Sequence, residues 1–264
     1  MASKRPFSNR SFIDCVRDYL PTDAIVHETD AEGHAGAPIS HDDLAANTFY
    51  RFDAEALNAF FHAITELALE EASGTLLLAA RDQAEFDSCR ECLAQLARTI
   101  DRVELVGARL GTRSLRGVTI IRDSRGGCRD FRVVLYEGRR TQAMLVCREA
   151  KPARSRARTG LVGFYTLDSP LVRQLHAELV DVAQGRAVAL RGFVRLQAID
   201  LAARQLQREF EREQQALHTA VRRLQFDPQH YRPAQFASDL EQGLCRLQEW
   251  KRRLPEMVTR AEAS

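Results

Sequence analysis

Apolar residues recur every three or four positions in three segments of the N-terminal part of the chain, a spacing that predicts amphipathic helices. The segments are SNRSFIDCVRDYL, which Pro21 ends, AEALNAFFHAITELALEEA, which follows Asp53 and ends at Ala72, and EFDSCRECLAQLARTI. The apolar run TLLLAAR, bounded by Gly74 and Asp82, is short and predicts a strand buried on both faces. The polar stretch HETDAEGHAGAPISHDD has no apolar period, and it predicts a loop or linker.

The middle of the chain predicts several strands in succession. They are VELVGA, GVTIIRD, FRVVLYEG and TQAMLVCREA, and a tight turn around Gly138 pairs the last two as a hairpin. The strand LVGFYTL and the helix SPLVRQLHAELVDVA follow, and Gly185 marks the end of that helix. Because strands and helices neither alternate strictly nor segregate fully, we expect an α+β fold in which helices cover at least one face of a mixed sheet.

From Arg191 onward the strand pattern disappears and the chain predicts helices only. A seam of apolar residues recurs there at intervals of seven, four or three, which is typical of a helix that packs on another helix or subunit. The seam consists of Ile199, Leu206, Phe210, Leu217, Val221 and Leu224. Asp227 and Pro228 interrupt it, and a second amphipathic helix from Ala234 to about Met257 predicts a helical hairpin. We expect the seam to form a dimer or partner interface.

These patterns divide the 264 residues into three regions. Residues 1–48 hold the first helix and the polar linker, 49–186 the α+β domain, and 187–264 a helical region for oligomerisation or partner docking. The net charge of +2 gives no general attraction to nucleic acid. No apolar run approaches the roughly 20 residues that cross a bilayer, and no secretory signal precedes the first helix, so we expect a cytoplasmic protein without membrane contact. The six scattered cysteines are expected to be free thiols.

Two groups of residues have the composition of metal or redox sites. Cys89 and Cys92 form a C-x-x-C, but they lie inside a predicted helix without a second pair, which favours ordinary cysteines on a helix face. His27, His34 and His41 recur every seven residues in an acidic stretch, and imidazole with carboxylate is a ligand set for transition metals. Closing that glycine-containing stretch on an ion would cost conformational entropy, so we interpret it as a polar connection and predict no metal site.

An arginine-rich loop and one aspartate are the remaining candidates. Arg154, Arg156 and Arg158 concentrate positive charge between two strands, where a solvated loop is the favoured interpretation, but they are also the best candidates for anion-binding residues. Asp168 ends a strand and begins a helix, where it is either a functional carboxylate or an N-cap followed by Pro170, and we favour the cap. The chain lacks G-x-S-x-G, H-E-x-x-H and glycine-rich phosphate loops, and it identifies no cofactor.

The region from about Ala63 to Ala183 resembles the DICT domain, a bacterial sensory module named for its occurrence with diguanylate cyclases and two-component systems. The similar strings are AITELALEEA, TLLLAARDQAEF, CLAQLARTIDRVELVGA, FRVVLYEG with TQAMLVCRE, and LVGFYTLDSPLVRQL. In the family, an aromatic strand ending in Thr-x-Asp leads into a helix with Val-Arg, as Tyr165, Asp168 and Arg173 do here. The resemblance implies an α+β sensory domain, with light among the signals proposed for the family.

The resemblance adds ligand-binding candidates but no established ligand. They are Arg81, Phe131, Tyr165, Asp168 and Arg173, and Phe131 stands where the family commonly has tryptophan. No cyclase, kinase or receiver motif accompanies the module, so we expect a non-enzymatic regulatory protein that signals through a protein partner and forms a homodimer. Two alternatives stay open. The first is a small enzyme in which Arg81, Tyr165 and Asp168 converge at the strand ends, and the second is a nucleic-acid-binding regulator that uses the arginine-rich loop.

Overall fold

A computed structural model describes most of the chain. The described residues are 11–20, 26–29, 35–40, 44–107, 115–123, 125–149 and 160–226, together with 237–238, 241–243, 245–246, 248–249 and 252. The chain divides into two compact units, Met1–Gly192 and Phe193–Ser264. Within the described ranges, no helix combines the length and the apolar character needed to span a membrane.

The first unit contains a mixed sheet with helices on both faces. Its strands are β1 (Val26–Thr29), β2 (Ala35–Ile39), β3 (Tyr50–Phe52), β4 (Thr75–Ala79), β5 (Arg102–Gly107), β6 (Val118–Arg122), β7 (Phe131–Glu137), β8 (Gln142–Glu149) and β9 (Leu161–Thr166). The helices are α1 (Phe12–Tyr19), α2 (Ala54–Glu71), α3 (Gln83–Thr99), α4 (Ser169–Ala183) and α5 (Arg191–Phe226), the last of which continues into the second unit. This arrangement confirms the predicted α+β class.

The described strands lie in the order β2-β1-β3-β9-β8-β7-β4-β5-β6. Strands β4, β5 and β6 are parallel to one another, and the other neighbouring pairs are antiparallel. The hairpin predicted around Gly138 is confirmed, because β7 pairs with β8 and Gly138 N–H donates to the Thr141 carbonyl at 2.9 Å. Strand β4 lies in the interior of the sheet between β5 and β7, which agrees with its predicted burial on both faces.

Aspartates cap the main helices. Asp53, Asp82 and Asp168 are the N-caps of α2, α3 and α4, and each side chain accepts a hydrogen bond from a backbone N–H of the first turn. After α2, Ala72 takes a left-handed conformation and Gly74 has φ +85°, so the chain turns directly into β4. A Cβ atom at position 74 would collide with the Glu137 carbonyl, which requires glycine there.

The two faces of the sheet are packed differently. Helices α2 and α3 cover one face, with α1 packed on α2, and α4 covers the other. The α2 face is one continuous apolar cluster, whose largest buried members are Phe52, Phe60, Ile64, Leu76, Leu93, Leu96, Leu105 and Tyr136. The α4 face buries Val133, Leu135, Val146 and Phe164 of the sheet, together with the carboxylate of Glu104.

The predicted polar linker is wrong where the structure describes it. Residues 26–29 and 35–39 form the antiparallel strands β1 and β2, and β1 pairs with β3 to extend the sheet. These strands have three to five residues and few apolar side chains, so they show no periodic pattern of their own. Their formation depends on pairing with the sheet, which sequence periodicity does not reveal.

The second unit is helical where it is described. Helix α5 extends to Phe226, and the described residues between 237 and 252 are helical. Arg246 Nη1 lies 2.7 Å from Glu213 Oε1, so a contact joins this segment to α5, as the predicted hairpin requires. In the predicted seam, Phe210 is 50% exposed and Val221 is 38% exposed, whereas Ile199 and Leu206 are half-buried. The side chains of the seam residues Leu217 and Leu224 lie outside the described part.

Candidate functional site

Helix α4 presents two different stripes to the rest of the first unit. One stripe is apolar and buried on the sheet, and it consists of Val172, Leu175, Leu179, Val182 and Ala183. The adjacent stripe consists of Arg173, His176, Ala177, Val180, Asp181 and Gln184, which recur at helical spacing and line a cleft beside β5 and β6. The fold therefore places polar and cationic groups where a helix meets a sheet edge.

A buried glutamate lies at the centre of this region. Glu104 is the third residue of β5, and its side chain is 4% exposed. Arg102 Nη2 lies 2.6 Å from Glu104 Oε1, and His176 Nε2 lies 3.2 Å from Glu104 Oε2. The other ring nitrogen, His176 Nδ1, lies 3.0 Å from Glu137 Oε1. We call Arg102, Glu104, Glu137 and His176 the charged network.

The imidazole of His176 is held between two carboxylates. A positively charged ring donates both of its N–H groups, whereas a neutral ring donates only one and leaves a lone pair against the other carboxyl group. Both contacts are therefore satisfied when His176 is protonated, or when one glutamate carries the proton instead. In a partly buried site such an arrangement fixes the ring in one orientation and connects α4 to β5 and β7.

The charged network does not have the form of a metal site. The two glutamates lie at opposite nitrogens of the His176 ring, so their oxygens do not converge on one point with a ring nitrogen. In the part of the chain that the structure describes, no group of three or more His, Cys, Asp or Glu residues is arranged to hold a metal ion.

The cleft next to the charged network is open and has a volume of about 810 Å³. Four arginines and three acidic residues line it, and two of the arginines have acidic partners inside it. Arg102 pairs with Glu104, and Arg186 Nη2 lies 2.6 Å from Asp181 Oδ1. Positive charge in the cleft is therefore only partly neutralised by the cleft's own carboxylates.

The other two arginines of the cleft, Arg122 of β6 and Arg173 of α4, are exposed. Among the described residues, neither of them forms an ion pair or a side-chain hydrogen bond. A guanidinium group offers five N–H donors in a fixed fork that matches carboxylate or phosphate oxygens. The cleft can therefore bind an anionic group between β6 and α4.

Arg173 is the single predicted ligand-binding residue in this cleft. Tyr165 lies instead in the apolar core under α2, with its ring 5.2 Å from that of Phe60. Its hydroxyl donates to the Leu44 carbonyl at 3.0 Å, and burial raises the pKa of Tyr165 to about 12. Tyr165 therefore holds the core and the segment before β3 together.

The capping interpretation of Asp168 is confirmed. Its Oδ1 accepts a hydrogen bond from Leu171 N–H at 3.1 Å, and its own N–H donates to the buried Thr166 Oγ1 at 3.0 Å. These contacts connect the end of β9 to the first turn of α4 and satisfy a backbone donor that the helix cannot satisfy itself. Asp168 does not line the cleft.

Arg81 lies in a different charged group, at the end of β4. It pairs with Asp82 at 2.9 Å and with Glu149 at 3.5 Å, and Glu149 also pairs with the buried Arg132. The N–H of Glu85 and the guanidinium of Arg81 hold the pKa of Asp82 below its usual range. The predicted convergence of Arg81, Tyr165 and Asp168 in one pocket is therefore not formed.

The remaining sequence candidates are placed as follows. Phe131 is half-buried at the start of β7, where its N–H donates to the Cys128 carbonyl. Cys89 and Cys92 lie on α3, and burial raises the pKa of both thiols, unlike the lowered pKa of redox-active dithiols. The predicted anion-binding residues Arg154, Arg156 and Arg158, and also His34 and His41, lie outside the described residues, as does the side chain of His27.

Sequence reasoning missed Arg102, Glu104, Arg122, Glu137 and His176. One local signal could have identified Glu104, because a carboxylate inside the apolar strand VELVGA requires a buried partner. The identity of that partner depends on how β5 and α4 pack, which the sequence pattern does not contain.

Searches among protein-family models, curated proteins and solved structures gave no match to this chain. The resemblance to the DICT domain therefore stays a prediction, and the geometry of the cleft is the basis for assigning a function.

Proposed function

We propose that this chain is a non-enzymatic regulatory protein that recognises a negatively charged ligand, or an acidic segment of a partner protein, in the cleft between α4 and β6. Its helical C-terminal region then passes the bound state to a signalling partner or to a second copy of the chain. The observation that carries the proposal is the pair of exposed arginines, Arg122 and Arg173, which face this cleft without acidic partners among the described residues.

The charged network supports recognition because it orients the wall of the cleft. His176 is one turn after Arg173 on α4, and its two carboxylate contacts tie α4 to β5 and β7. An anion held by Arg173 would therefore lie one helical turn from the residue that ties α4 to the sheet. Ligand binding can therefore change the contacts that attach α4 to the sheet.

A direct contact connects α4 to the beginning of α5. Gly192 N–H, in the first turn of α5, donates to Glu178 Oε2 at 2.8 Å, and Gln174 Nε2 donates to the other oxygen of Glu178 at 3.1 Å. The first N–H groups of a helix have no partner within the helix, so a carboxylate there stabilises the start of α5. A shift of α4 would act on α5 through Glu178, and a coupling of about 1–3 kcal/mol is sufficient for regulation.

The proposal is tested by titrating the full chain with inorganic phosphate, citrate, ATP and an oligoglutamate peptide while thermal unfolding is measured. We expect at least one of these anions to raise the unfolding temperature. The double variant Arg122→Gln/Arg173→Gln is expected to bind that anion at least about tenfold more weakly, because each charge-assisted hydrogen bond contributes about 1.5–3 kcal/mol. Light scattering on the same samples measures the mass of the protein in solution and reports whether it forms a homodimer and whether the ligand changes that mass.

The matched control is Arg98→Gln, which removes an exposed arginine from α3 on the opposite face of the sheet. Its affinity should stay within about twofold of the wild type. The proposal would be overturned if none of the four anions stabilised the protein, or if their affinity for the double variant and the wild type were the same. A strict monomer whose mass does not respond to the bound anion would remove the part assigned to the helical region.

A further inference from the structure

The outer edge of the sheet at β6 has backbone groups that no described strand uses. Strand β6 is last in the sheet order, and its one described neighbour is β5. Asp123 N–H donates toward β5, to the Gly107 carbonyl at 3.1 Å. Because successive residues of a strand point their N–H and C=O groups to opposite sides, Ile120 and Arg122 direct theirs away from β5. Within the described residues this edge is available for pairing.

The composition of β6 favours pairing with another strand. Its sequence VTIIR contains three β-branched apolar residues and no proline or glycine. The strand at the opposite end of the sheet, β2, has the sequence AGAPI, in which Pro38 lacks an N–H and weakens the edge as a pairing site. Natural sheets usually protect exposed edges in this way, whereas no described residue protects the edge at β6, which therefore offers a site for a further strand.

The cleft lies on the side of β6 that faces α4. Thr119 and Ile121 are in register with Glu104 and Val106 of β5, so their side chains share the face of the charged network. A strand added outside β6 would direct every second side chain into the cleft. The guanidinium groups of Arg122 and Arg173 line this cleft and have no acidic partner among the described residues, so they would select negative charge in the added strand.

We propose that the cleft binds an extended acidic peptide segment of a partner protein, which adds to β6 as a further strand of the sheet. Backbone hydrogen bonds to Ile120 and Arg122 supply affinity, and acidic side chains that meet Arg122 and Arg173 supply selectivity. Strand β6 is about 17 Å long at roughly 3.4 Å per residue, so the bound part of the peptide has about five residues. This inference rests on the proposed function of the cleft and specifies the partner that the cleft accepts.

The test begins with a displayed library of random short peptides, which is selected in parallel on the full chain and on the variant Arg122→Gln/Arg173→Gln. We expect enrichment of peptides with alternating acidic residues on the wild type only. A selected peptide is then synthesised with N-methyl groups on one alternate set of residues or on the other. One set should lose at least about tenfold in affinity, because its N–H groups pair with β6, and the other set should retain affinity.

A protein variant gives a second measurement. Ile120→Pro removes an N–H that points away from β5, so the pairing of β6 with β5 is retained, which circular dichroism can check. This variant should bind the selected peptide at least about tenfold more weakly, and this loss should exceed any change in its affinity for small anions.

Two results would overturn the inference and are distinguishable. If both methylated peptides bound like the unmodified one, backbone pairing would be excluded, while an Arg173-dependent response to citrate or phosphate would leave the proposed function in place. If peptides were enriched equally on the wild type and on the arginine variant, recognition in the cleft would itself be wrong.

Discussion

The two faces of the sheet use the same strands but meet their helices in different ways. On the α2 face, side chains such as Phe60, Leu76 and Tyr136 form one apolar cluster that is closed to solvent. On the α4 face, the apolar packing of Val172 and Leu175 gives way, toward β6, to the charged network and an open cleft. One face therefore has the composition of a core, and the other combines a core with the open, partly charged cleft in which we propose recognition.

This difference between the faces distinguishes residues that stabilise the fold from residues whose presence at a buried position is not explained by their contribution to stability. Burying apolar area contributes roughly 25 cal/mol per Å², whereas a buried ion pair is often no more stabilising than apolar residues of the same volume. A carboxylate such as Glu104, buried at 4% exposure beside a half-exposed arginine, is therefore a costly way to fill this position. This energetic cost supports the proposed role of the charged network in recognition, and the predictions below test the contrast between the two faces.

The largest expected loss of stability comes from a substitution on the apolar α2 face. Phe60 is fully buried, and its ring lies 5.2 to 6.2 Å from those of Phe12, Phe52 and Tyr165. Because Phe60→Ala removes a large buried side chain and leaves a cavity, we expect it to lower the free energy of unfolding by about 3–5 kcal/mol, measured by urea denaturation. Leu167→Ala, at a site 41% exposed, is the control and should change it by no more than about 0.5 kcal/mol. Equal losses in the two variants would contradict the assignment of the core.

Substitutions in the charged network should cause an intermediate loss of stability. His176→Leu leaves the buried Glu104 with Arg102 alone, so the free energy of unfolding should fall by about 2–3 kcal/mol. The double variant Glu104→Met/His176→Leu removes both polar groups and should recover to within about 1 kcal/mol of the wild type, since apolar packing replaces the ion pair. A double-mutant cycle by urea denaturation measures this coupling.

The control for this cycle is Glu104→Met alone, which leaves His176 in contact with Glu137 and should be less stable than the double variant. If the losses of the two single variants simply added in the double variant, the charged network would be a stabilising element. The charged network would then stabilise the fold as the apolar face does, and the proposed contrast between the two faces would be wrong.

The sequence was sufficient to predict the elements that have a local hydrophobic pattern. The periods of the segments around Phe60, Leu93 and Leu175 predicted their helices, and the apolar run at Leu76 predicted a strand buried on both faces. Strands β1 to β3 were missed because they are short, contain few apolar residues and, within the described residues, join the rest of the sheet only through the pairing of β3 with the distant strand β9. The candidate site depends on the same non-local geometry, since its key contact joins His176 to Glu104 across 72 positions of the chain.

The smallest expected effect concerns the starts of the helices on the two faces. Asp168 caps α4 and Asp53 caps α2, where its Oδ1 accepts from Ala56 N–H at 2.7 Å. Asp168→Ala and Asp53→Ala should each lower the free energy of unfolding by about 1 kcal/mol, whereas asparagine at either position should preserve it, because an amide oxygen also accepts from the first turn. Thermal and urea denaturation measure the stability, and the anion affinity of the cleft is measured alongside. The same variants separate the helix cap from the cleft. Since the side chain of Asp168 reaches only the backbone of α4, Asp168→Asn should leave the anion affinity of the cleft unchanged. A loss of affinity in a fully stable Asp168→Asn variant would show that this carboxylate takes part in recognition, and the separation between the helix cap and the cleft would then be wrong.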